Sequence, residues 1–314
     1  MKCIILKSIE GFGDRLEWLL QSIEYSKKTN RILIIDWSDE MWGDNDSNFE
    51  DYFFLNKLKY LTLNNFKNNY YSKNMSIIPK IWNNKLFLHP NKDLYNTEYI
   101  LNNDNNIIND IINNHSKDFN EDIVVISGIK NRTFIYSNFK YIKLNIILKN
   151  NIYNTTIYKQ LQYIPYICIH LRGGDKLIEL NRKLQNKSNN LNLYVKNITS
   201  KLIKINMNKN IKNILILSDT KILLDYLKLK LKKIGNYKIY TSKNFLLDNN
   251  LINIGLHNLC KEELERNNLT KKIINFYTIL DFYLLLNSKI IINDDISLFS
   301  NMAIKIKENL KINL

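Results

Sequence analysis

Seven consecutive residues carry the strongest chemical signal in this chain, His170-Leu171-Arg172-Gly173-Gly174-Asp175-Lys176. They close an apolar run over residues 165–171 that reads as a buried strand. Alternation along a strand puts His170 and Arg172 on the same face. A guanidinium is the side chain suited to bidentate contact with a phosphate. The two glycines clear space beside it, and Lys176 adds a point charge. Asp175 could hold Arg172 in position or ligate part of a ligand. The same residues are also compatible with a surface ion pair beside a turn.

A second cluster, Gly11-Phe12-Gly13-Asp14-Arg15, lies between a short apolar run at residues 2–6 and a helical repeat, Leu16, Leu19, Leu20 and Ile23. Its glycines allow the backbone to turn and to approach a ligand closely. The helix that follows presents free N–H groups and a partial positive charge to an anion. The third glycine of the dinucleotide fingerprint is missing, and a plain βα turn has the same residues. Both clusters stand out because the chain holds only 8 glycines and six arginines in 314 residues, and these two stretches contain four and two of them.

Ser218-Asp219-Thr220 ends another strand-like run and opens a helix-like one. Asn293-Asp294-Asp295-Ile296-Ser297-Leu298-Phe299-Ser300 has the same form, and Ser297 and Ser300 could offer hydroxyls and N–H groups to a phosphate. Both stretches are equally legible as helix N-caps. Asp281 lies inside the apolar segment INFYTILDFYLLL, where a carboxylate needs a partner. His89, His115 and His257 are isolated and read as ordinary surface or core histidines.

The elements that would position these groups alternate strand and helix. Residues 2–6, the helical repeat of Leu16, Leu19, Leu20 and Ile23, and residues 31–36 read as a βαβ unit with the GFGD turn at its first junction. Residues 44–120 are Asn-rich and Tyr-rich with weak periodicity, yet Leu, Ile, Tyr and Trp82 recur often enough for much of the segment to fold. Residues 122–127 read as a strand. The second half predicts strands at 165–171, 213–217, 238–241 and 289–292. Between and after them it predicts helices at 191–206, 221–233 closed by Gly235 as a C-cap, 271–286 and 297–310. The class is α/β with two doubly wound domains, residues 1–150 and 151–314.

Composition narrows the setting. Hydrophobic residues make up 45% and charged residues 24%, as in a globular protein. Apolar runs are too short for a membrane span, and the amino terminus is too short in apolar residues for a signal peptide. Cys3, Cys168 and Cys260 follow no metal or disulfide spacing. The expectation is a cytoplasmic protein with reduced thiols and no integral membrane segment. The net charge is +15, but 39 of the basic residues are Lys and Ala303 is the single alanine, a bias that matches AT-rich codons. A nucleic-acid partner is not required, and no aromatic-basic signature suggests one. The oligomeric state is not legible.

These motifs resemble a known family. GFGDRLEWLLQSIEYSKKTNRILIIDW is similar to the amino-terminal segment of nodulation-type α-1,6-fucosyltransferases, a GFGD turn, a helix and a strand ending in Ile-Asp-Trp. HLRGGDK resembles the His-x-Arg-Arg-x-Asp motif of α-1,2-, α-1,6- and protein O-fucosyltransferases. Ser218-Asp219-Thr220 resembles their third motif, and the stretch from Asp281 to Ser300 resembles their carboxyl-terminal donor motif. The match covers the first forty-five residues or so and most of the second half.

The resemblance implies a GT-B-like fold of two facing Rossmann-like domains, with the acceptor on the amino-terminal side. The donor would be GDP-fucose, bound mainly by the second domain, and transfer to a glycan acceptor would invert the anomeric carbon without a metal or other cofactor. Arg172 would grip the β-phosphate, and the turn of Gly11, Gly13 and Arg15 would face the pyrophosphate. His170 and Asp219 would contact guanosine or ribose. Gly173, Gly174 and Asp175 would shape the binding loop, and Ser297, Phe299 and Ser300 would complete the pocket.

Two places depart from the family pattern. Gly173 stands where the family has a second arginine, so the second cation is Lys176, Arg15 or missing. Glu179, the candidate base, falls one residue short of the family position; Asp14, Asp36 and Asp39 are other candidates. The rival to an enzyme is a catalytically inactive GT-B-like protein that binds a nucleotide or a glycan.

Overall fold

The computed structural model describes residues 1–8, 11–39, 41–43, 48–88, 118–127, 135–173, 187–206, 210–242, 259, 261–294 and 297–311. Two compact units emerge, Met1–Lys149 and Asn150–Leu314.

In the first unit, strand β1 (Cys3–Lys7), helix α1 (Phe12–Thr29) and strand β2 (Ile32–Asp36) form the βαβ start. Both strands are buried on both faces, as parallel strands covered by helices must be. The Asn-rich middle then contributes more regular structure than its weak periodicity suggests. Short strands β3 (Phe53–Leu55) and β4 (Tyr60–Thr62) are followed by helix α2 (Leu63–Asn69), capped by the Thr62 hydroxyl, and by β5 (Ile77–Ile78). Strands β6 (Ile123–Ile126) and β7 (Ile142–Leu144) complete the unit's strands among the described residues. The main sheet is parallel with order β4-β2-β1-β6-β5, and β3 pairs antiparallel with β7.

Helix α3 (Ile146–Asn154) contains the division, and α4 (Thr156–Leu161) follows. The second unit is a cleaner alternation. It runs β8 (Tyr166–Leu171), α5 (Lys187–Asn206), β9 (Asn213–Ser218), α6 (Lys221–Ile234), β10 (Lys238–Thr241), α7 (Lys261–Arg266), α8 (Lys271–Asn287), β11 (Ile290–Ile292) and α9 (Leu298–Leu310). Its sheet is parallel, in the order β10-β9-β8-β11.

Strand alternation sorts the side chains of β8. Ile167, Ile169 and Leu171 join a core with Val195, Ile198 and Leu202 of α5 and Leu223, Leu227 and Leu231 of α6. Tyr166 and His170 point to the other face, against α8 and α9. Gly235 ends α6 as expected, but with extended backbone at φ 176° rather than a left-handed turn. A Cβ there would lie 2.8 Å from the Tyr237 ring, a half-buried side chain that would have to turn aside.

In both sheets the strand order reverses beside the first strand of the unit, between β1 and β6 and between β8 and β11. Open α/β sheets bind ligands at the carboxyl ends of strands next to such a reversal. After β1, Gly11 is the N-cap of α1 and Phe12–Arg15 are already helical where the sequence suggested a turn, while Arg172 follows β8.

Candidate active site

In the second unit the site grows from the end of β8. His170 is buried, with Nδ1 3.2 Å from Ser300 Oγ and its ring 5.3 Å from the Phe299 ring. Both partners lie in the first turn of α9, so this pairing brings the β8 end to the start of that helix. Burial pushes the His170 imidazole down to about 4, reinforced by the Arg172 charge and opposed by Asp294, Asp219 and Asp281. The ring is therefore neutral at pH 7, a hydrogen-bonding group rather than a cation.

Arg172 sits at the open end, its side chain 23% exposed and Nη1 3.8 Å from Asp219 Oδ2. Asp219 Oδ1 accepts the Gly173 backbone N–H at 2.8 Å. One carboxylate at the end of β9 thus holds the loop after β8 by its backbone and faces the guanidinium that the loop carries. A side chain at 173 has no room in this arrangement. A Cβ there would lie 2.4 Å from Thr220 Cγ2, 2.6 Å from Thr220 Oγ1 and 2.7 Å from Asp219 Oδ1. Gly173 is the residue that lets the β8 and β9 ends pack together.

The β11–α9 junction is tied down by polar contacts. Asn293 Nδ2 donates to Ser300 Oγ at 3.0 Å and to Asn301 Oδ1 at 2.7 Å. Asp294 Oδ1 accepts the Ser297 N–H at 3.2 Å, which caps α9 from outside the helix. Ser297 is the N-cap residue but makes no side-chain cap bond. Tyr194 of α5, which no local pattern singles out, donates its hydroxyl to Asp294 Oδ2 at 2.6 Å. Burial, then the Asp294 charge, pushes the Tyr194 phenol well above its usual range, so it remains a donor. Asp281 has the partner its apolar helix demanded, the Ser242 hydroxyl.

The structure brings together His170, Arg172, Gly173, Asp219, Phe299 and Ser300, with Ser297 at the same helix start. Gly174, Asp175, Lys176 and Glu179 lie outside the described residues. So do His89, His115, His257 and Cys260; Cys3 and Cys168 are buried free thiols.

At the end of β1 the structure changes one expectation. Arg15 is fully buried: Nη2 lies 2.8 Å from Asp39 Oδ1, Nη1 donates to the Ser8 carbonyl at 2.9 Å, and the guanidinium stacks over Trp37 and Trp42. It braces the start of α1 from inside and is not presented to a ligand as a second cation. Gly11 is the N-cap of α1, Gly13 is buried, and Asp14 is half-buried in the first turn. Asp36 and Asp39 are equally enclosed. Asp36 pairs with buried Lys7 at 2.5 Å and accepts from the Ser38 hydroxyl. Neither carboxylate reaches solvent, so both leave the set of candidate bases.

One carboxyl in this unit behaves otherwise. Burial, then Asp51 and Asp36, pushes Glu50 up to about 7, and its Oε1 is buried without a hydrogen-bond partner. It sits in the short 3-10 helix Phe49–Asp51, and only its three-dimensional surroundings distinguish it.

A cavity of about 420 Å³ lies elsewhere in the second unit, lined by Tyr158, Leu161, Pro165, Tyr166 and Leu284. It lies at the amino end of β8, away from the charged strand ends. The polar groups at the carboxyl end are the better match to an anionic ligand. Among the described residues no three His, Cys, Asp or Glu side chains are placed to hold a metal ion.

The chain matches no protein-family model and no curated protein sequence. Solved structures do match. The fucosyltransferase NodZ from Bradyrhizobium superposes with a TM-score of 0.64 at 17% identity, covering 96% of this chain and 92% of that one. NodZ α-1,6-fucosyltransferase soaked with GDP-fucose gives 0.61 at 17% identity over the same shares. POFUT1 in complex with GDP-fucose gives 0.54 at 10% identity, covering 98% of this chain and 94% of that one. No helix among the described residues is long and apolar enough to cross a membrane. The α/β units with parallel sheets described above, taken with these neighbours, give the chain the fold of the GT-B fucosyltransferases.

Proposed function

We propose that this protein is an inverting glycosyltransferase that moves fucose from GDP-fucose to a glycan acceptor without a metal. The observation that carries this reading is the junction of Arg172, Asp219, His170 and the α9 start at the carboxyl ends of β8 and β9. It occurs in a fold whose solved neighbours include complexes with GDP and with GDP-fucose.

The chemistry follows from the groups present. An acceptor hydroxyl attacks the anomeric carbon as the bond from that carbon to the β-phosphate oxygen breaks. The diphosphate leaves with the electron pair, through an oxocarbenium-like transition state. Negative charge grows on the leaving group, so a positioned guanidinium stabilises the transition state more than the ground state. Arg172 has that role, and Asp219 is its positioning residue. Neutral His170 and the α9 start offer hydrogen bonds to the nucleoside. The proton of the acceptor passes to a carboxylate, for which Asp14, Glu179 and Glu50 are the candidates.

The tight packing at Gly173 favours the second reading, a nucleotide-binding protein without turnover, because it leaves no room there for the second arginine of the family motif. Incubation with GDP-fucose and a mixed glycan pool, followed by GDP release and by the anomeric configuration of any product, separates the two. Fucosylated product of inverted configuration in the presence of EDTA supports the enzyme. GDP-fucose binding without release of GDP supports the rival.

A further inference from the structure

The surplus positive charge of this chain is not spread evenly. Residues 187–242 contain twelve lysines, no arginine and two acidic side chains, Asp219 and Asp225. That is a net +10 in 56 residues, against +15 for all 314. A codon bias toward lysine acts along the whole chain and does not by itself concentrate the excess here.

The fold places part of this stretch, five of its lysines together with exposed Asp225, on one surface. Helices α5 and α6 pack side by side on the same face of the second sheet. Their inner sides are the buried leucines, isoleucines and valine of the core already described. Their outer sides carry exposed lysines, Lys196 and Lys204 on α5 and Lys230, Lys232 and Lys233 on α6. Between them stand large apolar side chains in solvent: Leu193 and Ile203 on α5, and Ile222, Leu229 and Ile234 on α6, with Leu229 59% exposed. Ile222 and Leu229 are two turns apart on one stripe of α6.

Lysines alternating with exposed aliphatic side chains suit an anionic lipid surface better than other polyanions. A nucleic acid is held by arginines and stacked aromatics, and this face has no arginine, while its Tyr226 is half-buried and bonded to Asn192. It would also leave the aliphatic side chains in water. At a bilayer the lysines meet the headgroup phosphates and carboxylates, and the leucines and isoleucines enter the acyl boundary. We infer that the outer face of α5 and α6 docks the protein on a membrane containing anionic lipid. The inference is independent of the donor and of catalysis.

The test is vesicle co-sedimentation. Vesicles of 70:30 phosphatidylcholine and phosphatidylserine capture the protein at 50 mM NaCl and release it at 500 mM, and pure phosphatidylcholine vesicles do not capture it. The triple variant Lys230→Glu, Lys232→Glu, Lys233→Glu lowers the affinity at least about 100-fold. The matched variant Lys59→Glu, Lys73→Glu, Lys85→Glu, on exposed residues of the first unit, makes the same charge change and keeps most of the binding. Ile203→Ser with Leu229→Ser preserves the charge and lowers the affinity about tenfold. All variants retain the unfolding midpoint of the wild type. Failure of the wild type to sediment at 50 mM overturns the inference. So does equal loss in the two triple variants, full binding by the serine variant, or tighter binding to a 20-nucleotide uridine RNA than to the vesicles.

Discussion

Gly173→Ala is the smallest change that probes how the site is built. The added methyl would begin 2.4 Å from Thr220 Cγ2, 2.6 Å from Thr220 Oγ1 and 2.7 Å from Asp219 Oδ1. None of these distances is tolerated, so either the loop after β8 or the Thr220 and Asp219 side chains must shift. Overpacking of this kind costs about 1–3 kcal/mol. For a unit of this size that lowers the melting temperature by about 2–10 °C. Because Asp219 also accepts the Gly173 N–H, the shift displaces Arg172, and GDP affinity falls with stability. Thr220→Ala removes the two nearest atoms. The Thr220 hydroxyl has no hydrogen-bond partner, so this change alone costs about 1 kcal/mol or less. In the Thr220→Ala background Gly173→Ala then costs less than about 1 kcal/mol, and part of the GDP affinity returns. Denaturant melts and calorimetric titration of the four proteins of the cycle measure the coupling. Additive costs, or a Gly173→Ala variant as stable and as tight for GDP as the wild type, refute the packing argument.

Arg172→Ala should cut donor turnover at least about 100-fold, read as GDP release, while stability moves by less than about 1 kcal/mol because the side chain is partly exposed. Asp219→Asn retains an acceptor for the Gly173 N–H but removes the charge facing Arg172, so kcat should fall about tenfold with GDP affinity changed less than about threefold; equal loss in both would mean that Asp219 touches the nucleotide. His170 binds its proton in the unfolded chain near pH 6.5 but in the folded protein only near about 4. Its contribution to stability is therefore complete above about pH 6.5 and is lost as the pH falls from there to about 4, a loss on the order of 3 kcal/mol. His170→Asn should be less stable than the wild type at pH 7.5, with the difference shrinking by pH 4.5; a difference constant with pH would remove the buried neutral imidazole from the account.

Much of the fold was legible because its elements are local and periodic. The apolar runs ending at Asp36 and Leu171 and the helical repeat after GFGD are patterns within a few residues, and they match β2, β8 and α1. Strands β3, β4 and β5 were hidden because each has only two or three residues, too few for alternation to register. The cluster around Arg172 was visible in residue types, but its geometry depends on groups distant in sequence. Gly173 meets Asp219 across 46 positions, and His170 meets Ser300 across 130. Arg15 was misleading for the same reason. An arginine beside two glycines looks like a ligand group until Asp39 and the Ser8 carbonyl are seen to enclose it. Tyr194 carries no local signal, since a tyrosine on an amphipathic helix is ordinary until its hydroxyl is found on Asp294.

Nucleotide selectivity separates a GDP-fucose site from every other reading of the Arg172 cluster. Thermal unfolding would be followed with GDP, GDP-fucose, GDP-mannose, UDP, UDP-sugars and ADP, each with and without magnesium. A ligand at about 100 times its dissociation constant adds about 2.7 kcal/mol of apparent stability. GDP and GDP-fucose should stabilise the protein, with an effect unchanged by magnesium and lost in Arg172→Ala. Stabilisation by UDP compounds alone, or by no nucleotide at all, would contradict a GDP-fucose site.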